Sequence, residues 1–270
     1  MRPLGKERGG RNLTGFNRRA TRPNGMQQPS NPVVILARAL RQFLTGIHLD
    51  VAVVLLWVTI SLLVLEYFAV RPIFIDRRQW PIPLTELTRW SLFCLFLWFV
   101  GPALLARIVL RVRLRDIGLS LSGIHRHLPI YLLFYVCVLP LIWLASRDPE
   151  FLRTYPFADS ARDGLPALIK WELVYGLQFF SLEFFFRGFV IFILAKRWGL
   201  NAVFVMVVPY CMLHFHKPMP EAVGAIGAGL ILGILALKTR SIFGGILIHW
   251  AVAITMDVMA ILGSGGFRDS

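Results

Sequence analysis

Seven apolar runs, at about 51–70, 91–110, 129–146, 167–195, 199–216, 222–237 and 241–263, each approach the roughly 20 residues that cross a bilayer's hydrocarbon core. A backbone in lipid has to satisfy its own hydrogen bonds, so runs of this length read as helices. The fold class that follows is all-α, a polytopic transmembrane helical bundle of about seven spans. Composition agrees, because 56% hydrophobic and 16% charged residues leave too little polar surface to cover a soluble domain of 270 residues. The fourth run is overlong: at 1.5 Å per residue it reaches about 43 Å against a core of about 30 Å, and it has to tilt or project into water.

Residues 1–32 carry seven Lys or Arg and one Glu among Gly, Asn, Pro and Ser, without the apolar h-region of a secretory signal. They read as a disordered basic cytoplasmic tail, ahead of a single membrane domain over 33–270. Within that domain, residues 33–48 alternate apolar positions with Arg38 and Arg41, the pattern of a helix lying at the membrane surface. Excluding Lys170 and Arg187 inside the fourth run, Lys and Arg number eighteen on the side of the N-terminus and nine on the other. The positive-inside rule then puts the N-terminus in the cytoplasm, and the cell membrane is the expected location. The same placement of basic residues, in the tail and between spans, accounts for the net charge of +14 without a nucleic-acid partner.

Cys94, Cys137 and Cys211 lie in or at the ends of apolar runs with no metal-ligand spacing, and read as packing residues. There is no internal repeat of the kind that marks an inverted-repeat transporter. Gly229 and Gly233 form a G-x-x-x-G in the sixth run, which predicts close approach to a neighbouring helix.

Charged groups inside a span cost roughly 2.5–3.5 kcal/mol each on insertion scales, so the few present are the candidates for chemistry. Glu66 and Glu172 fall near the ends of their runs, where a side chain reaches water. Glu183 and Arg187 do not: they sit within a Phe-rich stretch, and their i,i+4 spacing stacks carboxylate on guanidinium. His214 ends the fifth run, and His249 and Asp257 lie within the seventh. Counted from the cytoplasmic ends of the runs, Glu183 comes out about 18 Å deep, His214 about 22 Å, His249 about 12 Å and Asp257 about 24 Å. Three helices could therefore bring a carboxylate and two imidazoles together.

These segments resemble the CPBP family of intramembrane proteases, which includes CAAX-processing and bacteriocin-processing enzymes. The family's Glu-Glu-x-x-x-Arg is matched by Leu182-Glu183-Phe184-Phe185-Phe186-Arg187, followed by Gly188; its Phe-x-x-x-His by Tyr210 to His214; its His-x-x-x-Asn by His249 to Ala253. The resemblance covers about residues 167–263, and Asp116-Ile117-Gly118-Leu119 is similar to a preceding cytoplasmic loop of the family. Two positions depart from it. Leu182 stands where the family has its catalytic Glu, and Ala253 where it has the Asn assigned to the oxyanion. Three readings stay open: Glu183 takes over as the base, the chain is an inactive relative, or a divergent arrangement operates. Adjacent helix positions differ by about 100°, so Glu183 cannot replace a residue at 182 without a change of orientation.

The resemblance implies hydrolysis of a peptide bond in a membrane-associated protein or peptide, with the lipid bilayer as surroundings. In that scheme Glu183 draws a proton from water, His214 positions the water, His249 donates to the oxyanion and Arg187 orients Glu183. Tyr210 supports the site, and Asp257, about 80° round the helix from His249, supplies a polar partner in place of Ala253. The cofactor is open: the family is often described as metalloproteases, and His214 with His249 and a carboxylate could bind zinc, but no H-E-x-x-H is present and a metal-free water is favoured. The alternatives are a catalytically inactive membrane relative acting in immunity or assembly, and, third, a small-solute transporter.

Overall fold

The computed structural model describes residues 31–75 and 82–268. The basic tail expected over 1–32 lies almost entirely outside the described residues. Contacts divide the chain into two units at Ile47 and His48. In the first unit, helix α1 (Pro32–Gly46) begins where Asn31 accepts a hydrogen bond from the Val33 amide at 2.9 Å and Pro32 supplies the first turn. Val33, Leu36, Leu40 and Leu44 recur at helical spacing along it and are exposed.

The second unit contains α2 (Leu49–Arg71), α3 (Leu84–Val109), α4 (Ile124–Ala145), α5 (Leu165–Trp198), α6 (Asn201–Met212), α7 (Met219–Thr239) and α8 (Phe243–Gly263). All but α6 are long and apolar enough to cross a membrane, six among the described residues where seven runs were expected. The fifth run is the exception. It forms only 12 helical residues, about 18 Å of rise, and then turns through Leu213–His216. Pro209 removes a backbone donor near its end, and Leu213 and Phe215 extend the apolar run but not the helix.

The chain is a multi-pass membrane protein. Its packing agrees: α4 has 11% of its span buried by protein and exposes Leu132, Leu133, Val136 and Leu141, an apolar surface suited to lipid. Overlong α5 is instead the central helix, with 89% of its span buried. Phe184, Phe185, Phe186 and Phe189 have no exposed surface, and Phe185 stacks on Trp98 at 6.2 Å. The expected close approach at the G-x-x-x-G is met by α6. A β-carbon on Gly229 would come 3.1 Å from Val207 and Tyr210, and one on Gly233 2.8 Å from Val203.

Side chains and loops gather at two opposite ends. At one, the Ile242 amide donates to the Gly118 carbonyl at 3.0 Å, the Ser241 hydroxyl to the Ser120 carbonyl at 2.7 Å, and Arg197 pairs with Asp50 at 2.9 Å. At the other, Arg268 pairs with Asp163 at 3.1 Å, His216 with Glu66 at 3.3 Å, and Lys217 with Glu221 at 2.6 Å. Tyr155 also donates to Glu221 there; burial, and then the neighbouring carboxylate, push its hydroxyl well above the ordinary range. These are the groupings into which the alternation of spans sorts the basic residues.

Candidate active site

Glu183 and Arg187 lie on either side of the point where α5 changes to π-type hydrogen bonding over Phe184–Ile191, a distortion frequent at functional sites. Both side chains have 0% exposure, and Arg187 Nη1 lies 3.2 Å from Glu183 Oε1. The N–H groups of Arg187 are not aligned on the carboxylate, so charge rather than a directed hydrogen bond holds this contact. The guanidinium carbon lies 4.1 Å from the centre of the Tyr210 ring, a cation–π contact with no exposed surface on Arg187.

His249 on α8 approaches the same carboxylate oxygen, with Nδ1 2.9 Å from Oε1. The second oxygen, Oε2, lies against Gly245, where a β-carbon would overlap it. Glycine at 245 is what lets the α5 carboxylate reach α8. A carboxylate can only accept, which assigns the proton of neutral His249 to Nδ1 and leaves Nε2 as an acceptor. The same reasoning applies to His214, whose Nδ1 lies 3.1 Å from the Tyr210 carbonyl oxygen. Both imidazole rings flank the Tyr210 ring, at 5.1 Å for His214 and 6.4 Å for His249. Of the three, His249 is the most open: its side chain is 17% exposed, against 0% for Glu183.

Glu183, Arg187, Tyr210, His214 and His249 are thus one neighbourhood, as their spacing and depths anticipate. Asp257 is directed elsewhere. Its Oδ2 accepts from Trp171 Nε1 at 2.6 Å, while Trp250 Nε1 donates to Glu172 Oε2 at 3.2 Å. Each helix therefore offers an indole to a carboxyl of the other, and Gly176 leaves room for the Trp250 ring. Glu172 does not reach water as expected from its place near the end of its run. Only 7% of it is exposed, because it lies on the face of α5 covered by Trp250 of α8, while Ile169 and Leu173 on another face of the same stretch stay exposed. Leu182 and Ala253, the two departures, are buried at 4% and 6% exposure.

Zinc would need a third ligand beside the two imidazoles. Among the described residues no group of three or more His, Cys, Asp or Glu side chains is arranged to hold a metal ion, and the carboxylate in contact with His249, Glu183, is also paired with Arg187. The donor set does not fit that metal.

The class that fold and site define is a polytopic helical membrane protein whose central helix presents a buried Glu–Arg pair to a histidine on a later helix. Comparison with family models agrees. Residues 165–255 match the model described as Rce1-like, type II CAAX prenyl endopeptidase, and by that match this segment is a CPBP-family domain. No curated protein and no solved structure matches the chain.

Proposed function

We propose that this chain is a membrane-embedded endopeptidase that cleaves a membrane-associated protein or peptide with water activated by the Glu183–His249 pair. The observation that carries this reading is the 2.9 Å contact between His249 Nδ1 and a carboxylate with no exposed surface. Burial and Arg187 suit Glu183 to orienting His249 and offsetting the charge it gains, while His249 Nε2 takes the proton from water. The water oxygen attacks the peptide carbonyl carbon. The proton held on His249 then passes to the leaving amine as the C–N bond breaks. His214, with its own Nε2 free, positions the water.

The test is an assay of purified chain on a panel of membrane-anchored peptides, with precursor accumulation in a deletion strain as the cellular counterpart. Cleavage that is lost in His249→Ala is expected. Buried Leu182 favours the second reading, an inactive relative in immunity or assembly. That reading predicts a well-folded wild type without cleavage, and a large gain of activity in Leu182→Glu.

We also propose that the end carrying Ser120 and Ser241 is cytoplasmic, on the eighteen-to-nine distribution of basic residues in the cell membrane. After replacement of the native cysteines, a cysteine at Ser160 is expected to react with an impermeant reagent in intact cells. Reaction at Ser122 instead would reverse the orientation.

A further inference from the structure

Three helices end beside one another, each with a cation at its terminus: Arg111 just past α3, Lys196 in the last turn of α5, and Arg240 directly after α7. These three side chains line one cavity of about 420 Å³, whose walls also include Asp116, Phe192 and Leu237. From this convergence we propose that the cavity binds the phosphate of an anionic phospholipid headgroup.

Charge is the first argument. Three cations face one carboxylate, and Asp116 is already engaged by Arg113 at 3.2 Å. Arg240 is held in place, 5.0 Å over the Phe192 ring and donating to the Asp116 carbonyl at 3.4 Å. Position is the second: the ends of spans lie at the level of lipid phosphates, and basic pockets between helices there suit anionic headgroups. Phe192 and Leu237 give the cavity an apolar wall for the carbons next to the phosphate, which favours a lipid over a free ion. Backbone conformation is the third. Among the described residues, Arg111 (φ 55°) and Arg240 (φ 57°) are the non-glycine positions in the left-handed region, where glycine is at ease. Both line this cavity.

The experiment is native mass spectrometry of the full chain in detergent, titrated separately with short-chain phosphatidylglycerol, phosphatidylcholine and inorganic phosphate. One phosphatidylglycerol per chain is expected, with phosphatidylcholine at least about tenfold weaker, given the summed attraction of the cations. Arg111→Gln, Lys196→Gln and Arg240→Gln together should weaken phosphatidylglycerol by about a hundredfold. Arg111→Gly with Arg240→Gly removes two cations at positions that suit glycine, and an unchanged melting temperature of the same samples separates its loss of binding from misfolding. Arg107→Gln, Arg115→Gln and Lys238→Gln, an equal charge change outside the cavity, should alter binding by less than about threefold. Unchanged affinity in the glycine pair, or an equal loss in the outside triple, overturns the site. Displacement of phosphatidylglycerol by inorganic phosphate at comparable concentration assigns the cavity to the free ion and overturns the lipid.

Discussion

Substituting His249 by Ala is expected to lower turnover of a cleaved peptide by about 10²–10⁴-fold, the contribution of a positioned general base. The chain should stay folded, because His249 is partly open and its removal leaves Glu183 still paired with Arg187. Glu183→Gln should produce a loss in the same range by a different route. An amide can offer an N–H to Nδ1, which moves the imidazole proton to Nε2 and removes the acceptor that water needs. The signature is a fall in kcat with little change in KM, together with a change of His249 tautomer seen by nitrogen NMR. Combined with His249→Ala, the second substitution should add little, as for groups that act as a unit. Folded Glu183→Gln that cleaves at the wild-type rate would remove Glu183 from the reaction.

Arg187→Ala should be the most damaging single change to stability. It leaves a carboxylate without its cation at a position with no exposed surface, at a cost of about 3–5 kcal/mol. Replacing both members by apolar residues, Glu183→Leu with Arg187→Met, removes both desolvation penalties and should return stability to about the wild-type level without restoring cleavage. Denaturation in detergent separates these outcomes. If Arg187→Ala melts like the wild type, the ion pair does not contribute as its burial implies.

The helical, membrane-spanning character was legible in the sequence because lipid forces long apolar runs to close their own hydrogen bonds. The Glu183–Arg187 pair was legible for a similarly local reason, since i,i+4 spacing on one helix needs no knowledge of the fold. Depth counting allowed His214 and His249 to meet this region, and the family resemblance supplied the rest of that expectation. What was not legible was set by particular neighbours. Hydropathy sees Leu213 and Phe215 as a continuing span, whereas the backbone has already turned. Glu172 looked peripheral because its run ends near it, but burial is decided by the helices packed round α5. Gly245 carries no chemistry to detect, and its role exists only once a carboxylate from another helix lies against it. The crossed Trp171–Asp257 and Trp250–Glu172 contacts join residues about eighty positions apart, beyond any local pattern.

Those crossed contacts bear on how the chain is assembled. Central α5 depends on α8 for the Trp250 donor to Glu172, for His249 at Glu183, and for the carboxyl that receives the Trp171 indole. Between the two in synthesis order come α6 and α7, which contribute no side-chain hydrogen bond to either α5 carboxylate among the described residues. While those helices emerge from the ribosome, α5 carries in Glu172 a carboxyl whose indole donor has not yet been made. Glu183 has only Arg187. An α5 inserted before α8 is made is expected to lack these contacts, and the arrival of α8 to supply them.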